Sequence, residues 1–171
     1  VPLLVGRTRS LNSVEEALAN EENLIVVFQK DPQVDDPSFN DVYSVGVAVK
    51  IIQSVREQTG VMKILVEVLD RVIIKNFIKD KKIYSVVTEK VIKEPDEKNK
   101  EDEALVRFVL ELLDKYLELN TSVPKELYTT ISSIENAARL TDTIAGYLPL
   151  KLKDKAIILQ TIPIKQRLQV L

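Results

Sequence analysis

Residues 24–37 read Leu-Ile-Val-Val-Phe-Gln-Lys-Asp-Pro-Gln-Val-Asp-Asp-Pro, and this stretch decides the character of the first half of the chain. Its first five residues form a continuous apolar run, which is typical of a buried strand. Residues 31–41 contain two prolines and four aspartates, which oppose both a helix and a central strand. The stretch therefore predicts a strand that runs into a structured loop.

The segments around this stretch have the pattern expected of further strands. Strands are predicted at residues 2–5, from residue 42 to a polar connection at 56–60, and at 62–69, 72–78 and 83–92. A single helix is predicted over residues 10–19, with Asn12 or Ser13 as its cap. Consecutive strands with short turns indicate an antiparallel sheet, which we expect to curl into a barrel that limits its exposed edges.

The second half of the chain has helical periodicity. Residues 93–102 hold five acids, three lysines and no apolar residue, so they predict a solvated linker or a surface excursion. Helices are predicted over residues 104–119, 124–131, 137–148, 153–160 and 163–171. The first of these has two apolar stripes, so we expect it to be buried on two sides. The predicted organisation is a β-rich lobe (1–93), a linker (94–102) and an α-helical lobe (103–171).

Composition excludes several kinds of chemistry. The 171 residues include neither cysteine nor histidine, which rules out disulfides, thiolate metal sites and catalysis by a cysteine nucleophile or a histidine base. The net charge of -2 gives no basic field that would hold nucleic acid. No apolar run approaches the length of a bilayer-spanning segment. A cytoplasmic location, without nucleic-acid or membrane partners, is the expectation.

The aspartates of residues 31–41 could indicate a cation site. A calcium-binding loop needs glycine at its sixth position and an acid at its twelfth, but those positions hold Asp36 and Val42. A structural loop is favoured, in which aspartates accept hydrogen bonds from nearby backbone N–H groups. We predict no catalytic residue, no cofactor-binding residue and no metal ligand in this chain.

An ordered set of segments resembles a known family. The set resembles the N-terminal domain of Lon proteases, the ATP-dependent serine protease La family, at residues 5–7, 15–17, 29–37 and 66–72. Residues 140–155 and 164–168 are similar to the helical bundle that follows in that family. The family usually has another strand upstream of Pro2, and the chain begins at Val1 rather than methionine. We therefore interpret the chain as a fragment.

The resemblance implies a fold and a function. The implied fold is α+β: an antiparallel β pseudo-barrel (PUA-like) with one helix, followed by an α-helical bundle. The implied role is non-catalytic substrate recognition and assembly, with unfolded or damaged proteins and the other subunits of a homo-hexamer as partners. ATP, Mg²⁺ and the Ser-Lys dyad belong to other domains of the family. The parent protein would be an ATP-dependent serine endopeptidase of protein quality control.

Four apolar residues are candidates for binding polypeptide substrates. Alternation along residues 62–69 places Leu65 and Leu69 on a face that also carries charges. Phe39 in a polar loop and Pro2 near the start of the chain join them. Either a helix or strand covers this face, or it is an apolar patch in contact with water. The opposite face should lie in the core, with Met62, Ile64, Val66 and Val68.

A second function class fits the same residues. A free-standing binding or adaptor protein could carry this domain without a protease. A natural chain that continues into a phosphate-binding loop would indicate the protease, and one that stops near Leu171 would indicate the adaptor. The chain itself has no such loop, since its four glycines lie far apart.

Overall fold

A five-stranded antiparallel sheet and one helix form the first unit of the chain, Val1–Ile92, and helices form the second, Lys93–Leu171. The structure, a computed structural model, describes residues 1–78, 82–91, 100–120 and 126–171. Each unit has its own cluster of buried apolar side chains. The predicted α+β class is confirmed.

Short connections join most elements of the first unit, and a long loop separates β2 from β3. The elements are β1 (Pro2–Val5), α1 (Thr8–Asn20), β2 (Leu24–Gln29), β3 (Val42–Arg56), β4 (Met62–Ile78) and β5 (Ser85–Lys90). One 3₁₀ turn, Phe39–Asp41, leads from the long loop into β3. The predicted strand positions up to residue 69 agree with these bounds, and residues 79–81 and 92 lie outside the described ranges.

The strand order places β3 and β4 at the centre of the sheet. β3 pairs with β2 on one side and with β4 on the other. β1 and β5 share the remaining edge of β4, where β1 pairs with residues 62–65 and β5 with residues 72–78. Among the described residues, no strand pairs with the outer edge of β2. Backbone pairing therefore leaves the sheet open rather than closing it into a barrel.

β4 is one continuous strand of 17 residues, whereas the sequence pattern predicted two strands broken at Asp70 and Arg71. Both of these residues instead pair with β3. The register shifts between Ala48 and Val49, which leaves Leu69 as an extra residue in β4. A β-bulge of this kind lets a strand bend without ending.

The bulge also explains why one predicted core residue is exposed. Met62, Ile64 and Val66 are buried as predicted, but Val68 is 51% exposed. Val68 adjoins the extra residue Leu69, and the twist at a bulge re-aims side chains and interrupts the alternation of the strand. The prediction that Val68 belongs to the core is therefore wrong.

α1 packs on the inner face of the sheet. It begins at Thr8 with Arg7 as its N-cap, so the prediction of Asn12 or Ser13 as the cap is wrong. Ser13 lies inside the helix, where its hydroxyl accepts a hydrogen bond from the N–H of Tyr84 at 2.9 Å. The buried cluster between the helix and the sheet comprises Val14 of α1 with Val49, Met62, Ile64 and Val66 of the sheet.

The second unit has five helices in the part that the structure describes. They are α2 (Lys100–Leu119), α3 (Glu126–Ser132), α4 (Ala137–Tyr147), α5 (Leu152–Gln160) and α6 (Ile164–Val170). Residues 100–102 of the predicted linker are therefore helical, and residues 93–99 and 124–125 lie outside the described ranges. No helix built from described residues is both long and apolar enough to cross a membrane.

α2 is buried along one stripe rather than two. Val109, Leu113 and Leu117 are buried and belong to the core cluster of this unit. Leu113 and Leu117 belong to one predicted stripe and Val109 to the other, in which Phe108, Leu112 and Leu119 remain exposed. The prediction of burial on both sides is wrong, because the described helices of the unit pack against only one side of α2.

Arg167 fixes the connection between α5 and α6. Its side chain is 5% exposed. Nε donates a hydrogen bond to the carbonyl of Thr161 at 2.8 Å, and a terminal nitrogen donates to the carbonyl of Ile162 at 2.6 Å. The other terminal nitrogen lies 3.6 Å from the carboxylate of Asp142 on α4. One buried guanidinium thus joins the connection to a neighbouring helix.

Candidate polypeptide-binding surface

Three adjacent strands build the candidate surface near the β3–β4 hairpin. In the register of the sheet, Leu4 of β1 and Val55 of β3 lie on either side of Lys63 of β4. Residues paired across antiparallel strands point to the same face, so these three residues form one continuous row across the strands. The next row contains Pro2, Leu65 and Gln53.

These two rows lie on the outer face of the sheet. The alternate residues of β4 point into the core below α1, so the rows point away from it. Leu4 is 72% exposed, Val55 52% and Leu65 41%, and Pro2 is also exposed. Pro2, Leu4, Val55 and Leu65 are termed the outer patch below. Contiguous apolar side chains in contact with water are a feature of protein-binding surfaces.

Two members of the outer patch, Leu4 and Val55, were not predicted as site residues. Alternation along β3 would place Val55 in the core together with Ile51. The register shifts between Ile51 and Gln53, so the extra residue Ile52 reverses the direction of the side chains that follow. Leu4 could have been identified from the alternation of β1. Leu3 and Val5 are half-buried, so the residues between and before them point to the opposite, exposed face.

The structure brings together two of the four predicted site residues. Pro2 and Leu65 are direct partners in the register of β1 and β4. Leu69, which is 42% exposed, lies four positions farther along β4, roughly 13 Å from Leu65. Leu69 therefore flanks the outer patch and is not a member of it.

Phe39 lies away from the outer patch and has aromatic neighbours. Its ring packs edge-on against Phe77, with centroids 5.9 Å apart, and Phe77 lies 6.2 Å from the ring of Tyr84. Phe77 is twelve positions from Leu65 on β4 and pairs with Val86 of β5 rather than with β1. Phe39 thus belongs to an aromatic cluster at the other end of the strand.

The loop after β2 has the structural role that its sequence predicted. Asp31 accepts a hydrogen bond from the N–H of Gln33 at 2.9 Å, and Asp41 accepts one from the N–H of Ser38 at 2.8 Å. Within the described ranges, no group of three or more acidic side chains is placed to hold a metal ion. Asp31 and Asp41 therefore fix the backbone geometry of the loop.

Two arginines and one tyrosine hold this loop against the rest of the unit. Arg7 donates a hydrogen bond to Oε1 of Gln29 at 2.7 Å. Arg9 donates to the carboxylate of Asp36 at 2.5 Å, and the hydroxyl of Tyr84 donates to the same carboxylate at 2.7 Å. The hydrogen bonds from Tyr84 and then Arg9 lower the pKa of Asp36. Burial, followed by the bond to Asp36, raises the pKa of Tyr84.

All 171 residues match a protein-family model described as ATP-dependent protease La (LON) substrate-binding domain. Lon protease of Buchnera aphidicola subsp. Schizaphis graminum (strain Sg) is 36% identical over 171 residues. Lon protease of Escherichia coli (strain K12) is 35% identical over the same length. Each alignment covers 100% of this chain, which spans 22% of the length of each relative.

Two solved structures share the fold. The N-terminal domain of Mycobacterium avium complex Lon protease has a TM-score of 0.77 at 22% identity, covering 99% of this chain and 86% of that one. The Lon N-terminal domain protein from Xanthomonas campestris has a TM-score of 0.60 at 19% identity, covering 99% and 85%. The family model accounts for every residue and the fold agrees with it, so the chain belongs to the Lon substrate-binding domain family.

Proposed function

We propose that this chain is a non-catalytic module for substrate recognition and assembly in an ATP-dependent Lon protease. It binds unfolded or damaged proteins at the outer patch. The observation that carries this proposal is the exposure of Leu4, Val55 and Leu65 on one continuous face that α1 does not cover. The family description as a substrate-binding domain supports the role, and the geometry adds the candidate residues.

The physical mechanism is weak apolar capture. Apolar surface removed from water contributes about 25 cal/mol per Å², and part of that gain offsets the entropy lost on association. A patch of four partly exposed side chains therefore suits a dissociation constant on the order of 0.1 mM, or about 5.5 kcal/mol. Several copies in one assembly would raise the effective concentration, while each single contact still releases its segment.

The whole protein's activity forms the second part of the proposal. Because this chain spans 22% of its curated relatives, we propose that other domains of the parent protein supply the ATP- and Mg²⁺-dependent steps and the Ser-Lys protease. The parent protein acts as a homo-hexamer in the cytoplasm. Identity above one third with curated Lon proteases favours this reading over a free-standing adaptor.

An NMR titration tests capture of substrate at the outer patch. The partner is a small disulfide-bonded protein that has been reduced and alkylated with a neutral reagent, so that it cannot refold. We expect shifts of the backbone amides of β1 and of residues 62–67 with the unfolded partner, and none with the same protein in its folded form. The double substitution Leu4→Ser and Leu65→Ser should weaken binding about thirtyfold, since each leucine contributes roughly 1 kcal/mol when half-buried and every 1.4 kcal/mol is tenfold.

The matched control is Val87→Ser. Val87 on β5 is exposed to a similar extent but pairs with Asn76, far along β4 from the patch. We expect this variant to bind like the unsubstituted chain. If the unfolded partner shifts no amide of the patch, or if Val87→Ser weakens binding as much as the double variant does, the outer patch is not the capture site.

A further inference from the structure

The outer patch surrounds a lysine. Lys63 lies between Leu4 and Val55 in one cross-strand row, and Leu65 follows two positions later on the same face. A lysine between aliphatic side chains can lay its methylene groups along them while its ammonium group stays in water. The surface therefore combines apolar contact area with one positive charge.

Lys63 forms no ion pair with another charge of the first unit within the described residues. The described ion pairs of this unit join Arg9 to Asp36, Arg56 to Glu15 and Lys75 to Glu89. Two acids flank Lys63 on this face. Glu57 lies one row away toward the hairpin turn, where its N–H donates a hydrogen bond to the carbonyl of Val61, and Glu67 lies two rows away on the other side, directly opposite Lys50, where opposite charges attract each other. Lys63 is thus the charge of this face that a ligand could complement.

We propose that the outer patch selects extended polypeptide segments that carry an acidic side chain two residues from an aliphatic one. An extended chain presents every second side chain to one face, roughly 6.6 Å apart, which is also the spacing of Lys63 and Leu65 along β4. The acid of the segment meets Lys63, and the aliphatic side chain packs on Leu65. The inference rests on the proposed function, because it specifies which unfolded segments the patch prefers.

The test uses the full 171-residue chain and four nine-residue peptides, acetylated and amidated so that they have no terminal carboxylate. The matched peptide has Asp two positions from Leu, and the shifted peptide has Asp next to that Leu. The neutral and reversed peptides have Asn or Lys in place of the Asp of the matched peptide. We expect the matched peptide to bind about two- to fivefold more tightly than the neutral one, the range of an exposed ion pair. The shifted peptide should show no gain and the reversed peptide should bind more weakly.

Substitution of Lys63 separates charge from apolar contact. Lys63→Met keeps the aliphatic stem, so it should abolish the preference for the matched peptide while leaving affinity for the neutral peptide within about twofold. Lys63→Glu should favour the reversed peptide instead. Lys115→Met, which removes an exposed lysine from α2 in the other unit, serves as the control and should retain the preference.

The outcomes distinguish the two proposals. Equal binding of matched, shifted and neutral peptides at the patch would overturn the inference and leave the proposed function standing. Failure of every peptide and of the unfolded protein to shift the patch amides would overturn both. A preference for the matched peptide that survives Lys63→Met would place the acid elsewhere and would also overturn the inference.

Discussion

Asp36 is a loop carboxylate with two partners that come from separate elements, Arg9 of α1 and Tyr84 just before β5. The bonds from these two side chains lower the pKa of Asp36 in the folded state, the bond from Tyr84 most of all. In the unfolded chain an aspartate has a pKa of about 3.9. Ionised Asp36 therefore stabilises the fold above that pH, and its contribution is lost as the pH falls through the lower pKa of the folded state.

Substitution of Asp36 should reveal this dependence. We expect Asp36→Asn to lower the melting temperature at pH 7. Its difference from the unsubstituted chain should shrink as the pH falls below about 4, where the unfolded chain becomes protonated first, and on through the lower pKa of the folded state. Thermal unfolding followed by circular dichroism between pH 3 and pH 7 measures both effects. Asp35→Asn is the control, because Asp35 makes no hydrogen bond to other described residues. A constant difference across this pH range would contradict the assignment.

Arg167 is the second residue whose removal has a defined cost. Arg167→Met keeps most of the apolar stem but leaves the carbonyls of Thr161 and Ile162 without their donors. Unpaired buried acceptors cost about 1–3 kcal/mol each, and these two are part-buried, so we expect a loss of about 2–4 kcal/mol in the free energy of unfolding. Urea unfolding of the second unit measures it. Arg139→Met on the exposed side of α4 should stay within about 0.5 kcal/mol, and equal losses for the two variants would contradict the role of Arg167.

At the scale of elements, the contact between β2 and β3 depends on a residue without a side chain. Gly46 of β3 pairs with Val27 of β2, and a Cβ at Gly46 would lie 2.7 Å from the carbonyl oxygen of Val26. Because that oxygen belongs to the backbone, the strands must separate to admit a methyl group. Gly46→Ala should therefore destabilise the first unit by about 1–3 kcal/mol.

Gly146 provides the opposite expectation for the same substitution. It lies in α4, and a Cβ there would meet no atom within 4 Å. Gly146→Ala should stabilise the second unit by about 0.5–1 kcal/mol, since alanine loses less backbone entropy than glycine in a helix. Urea unfolding of both variants gives the comparison. Stabilisation by Gly46→Ala would show that β2 and β3 can separate at little cost.

The sequence predicted elements well where a local signal ends them. α4 stops at Tyr147, close to the Pro149 that marked its end, and β2 has the bounds of its apolar run. The bulges at Leu69 and Ile52 were not predicted. A residue is extra only in relation to the strand that it pairs with, so the sequence of its own segment does not reveal it. Without the register at Ile52, alternation places Val55 on the core face, and without the bulge at Leu69 it gives no reason for the exposure of Val68.

At the scale of the whole molecule, the two units share no member of their buried clusters. We propose that residues 1–93 and 103–171 are separate domains, and a domain with its own core can fold alone. Separately expressed chains of residues 1–92 and 93–171 should then reproduce most amide chemical shifts of the intact chain. A poorly dispersed spectrum from either piece would contradict independent folding. A piece cut inside β4, residues 1–70, serves as the unfolded reference.

The candidate site was predictable only in part, because the fold of the whole chain brings its residues together. Leu65 followed from alternation within one strand, whereas its neighbours come from segments distant in sequence. Pro2 and Leu65 are opposite each other because β1 pairs with the start of β4, and no local pattern specifies that pairing. The family resemblance implied the fold but not the register, which is why Leu4 was missed.

The pairing of β1 with β4 also has a consequence during protein synthesis. β1 leaves the ribosome about sixty residues before the strand that completes its hydrogen bonds. At roughly 5–20 residues per second, the nascent apolar segment Leu3-Leu4-Val5 waits about 3–12 s for its partner. During that interval this domain is itself an unfolded chain with aliphatic residues exposed, and holding chaperones can bind it.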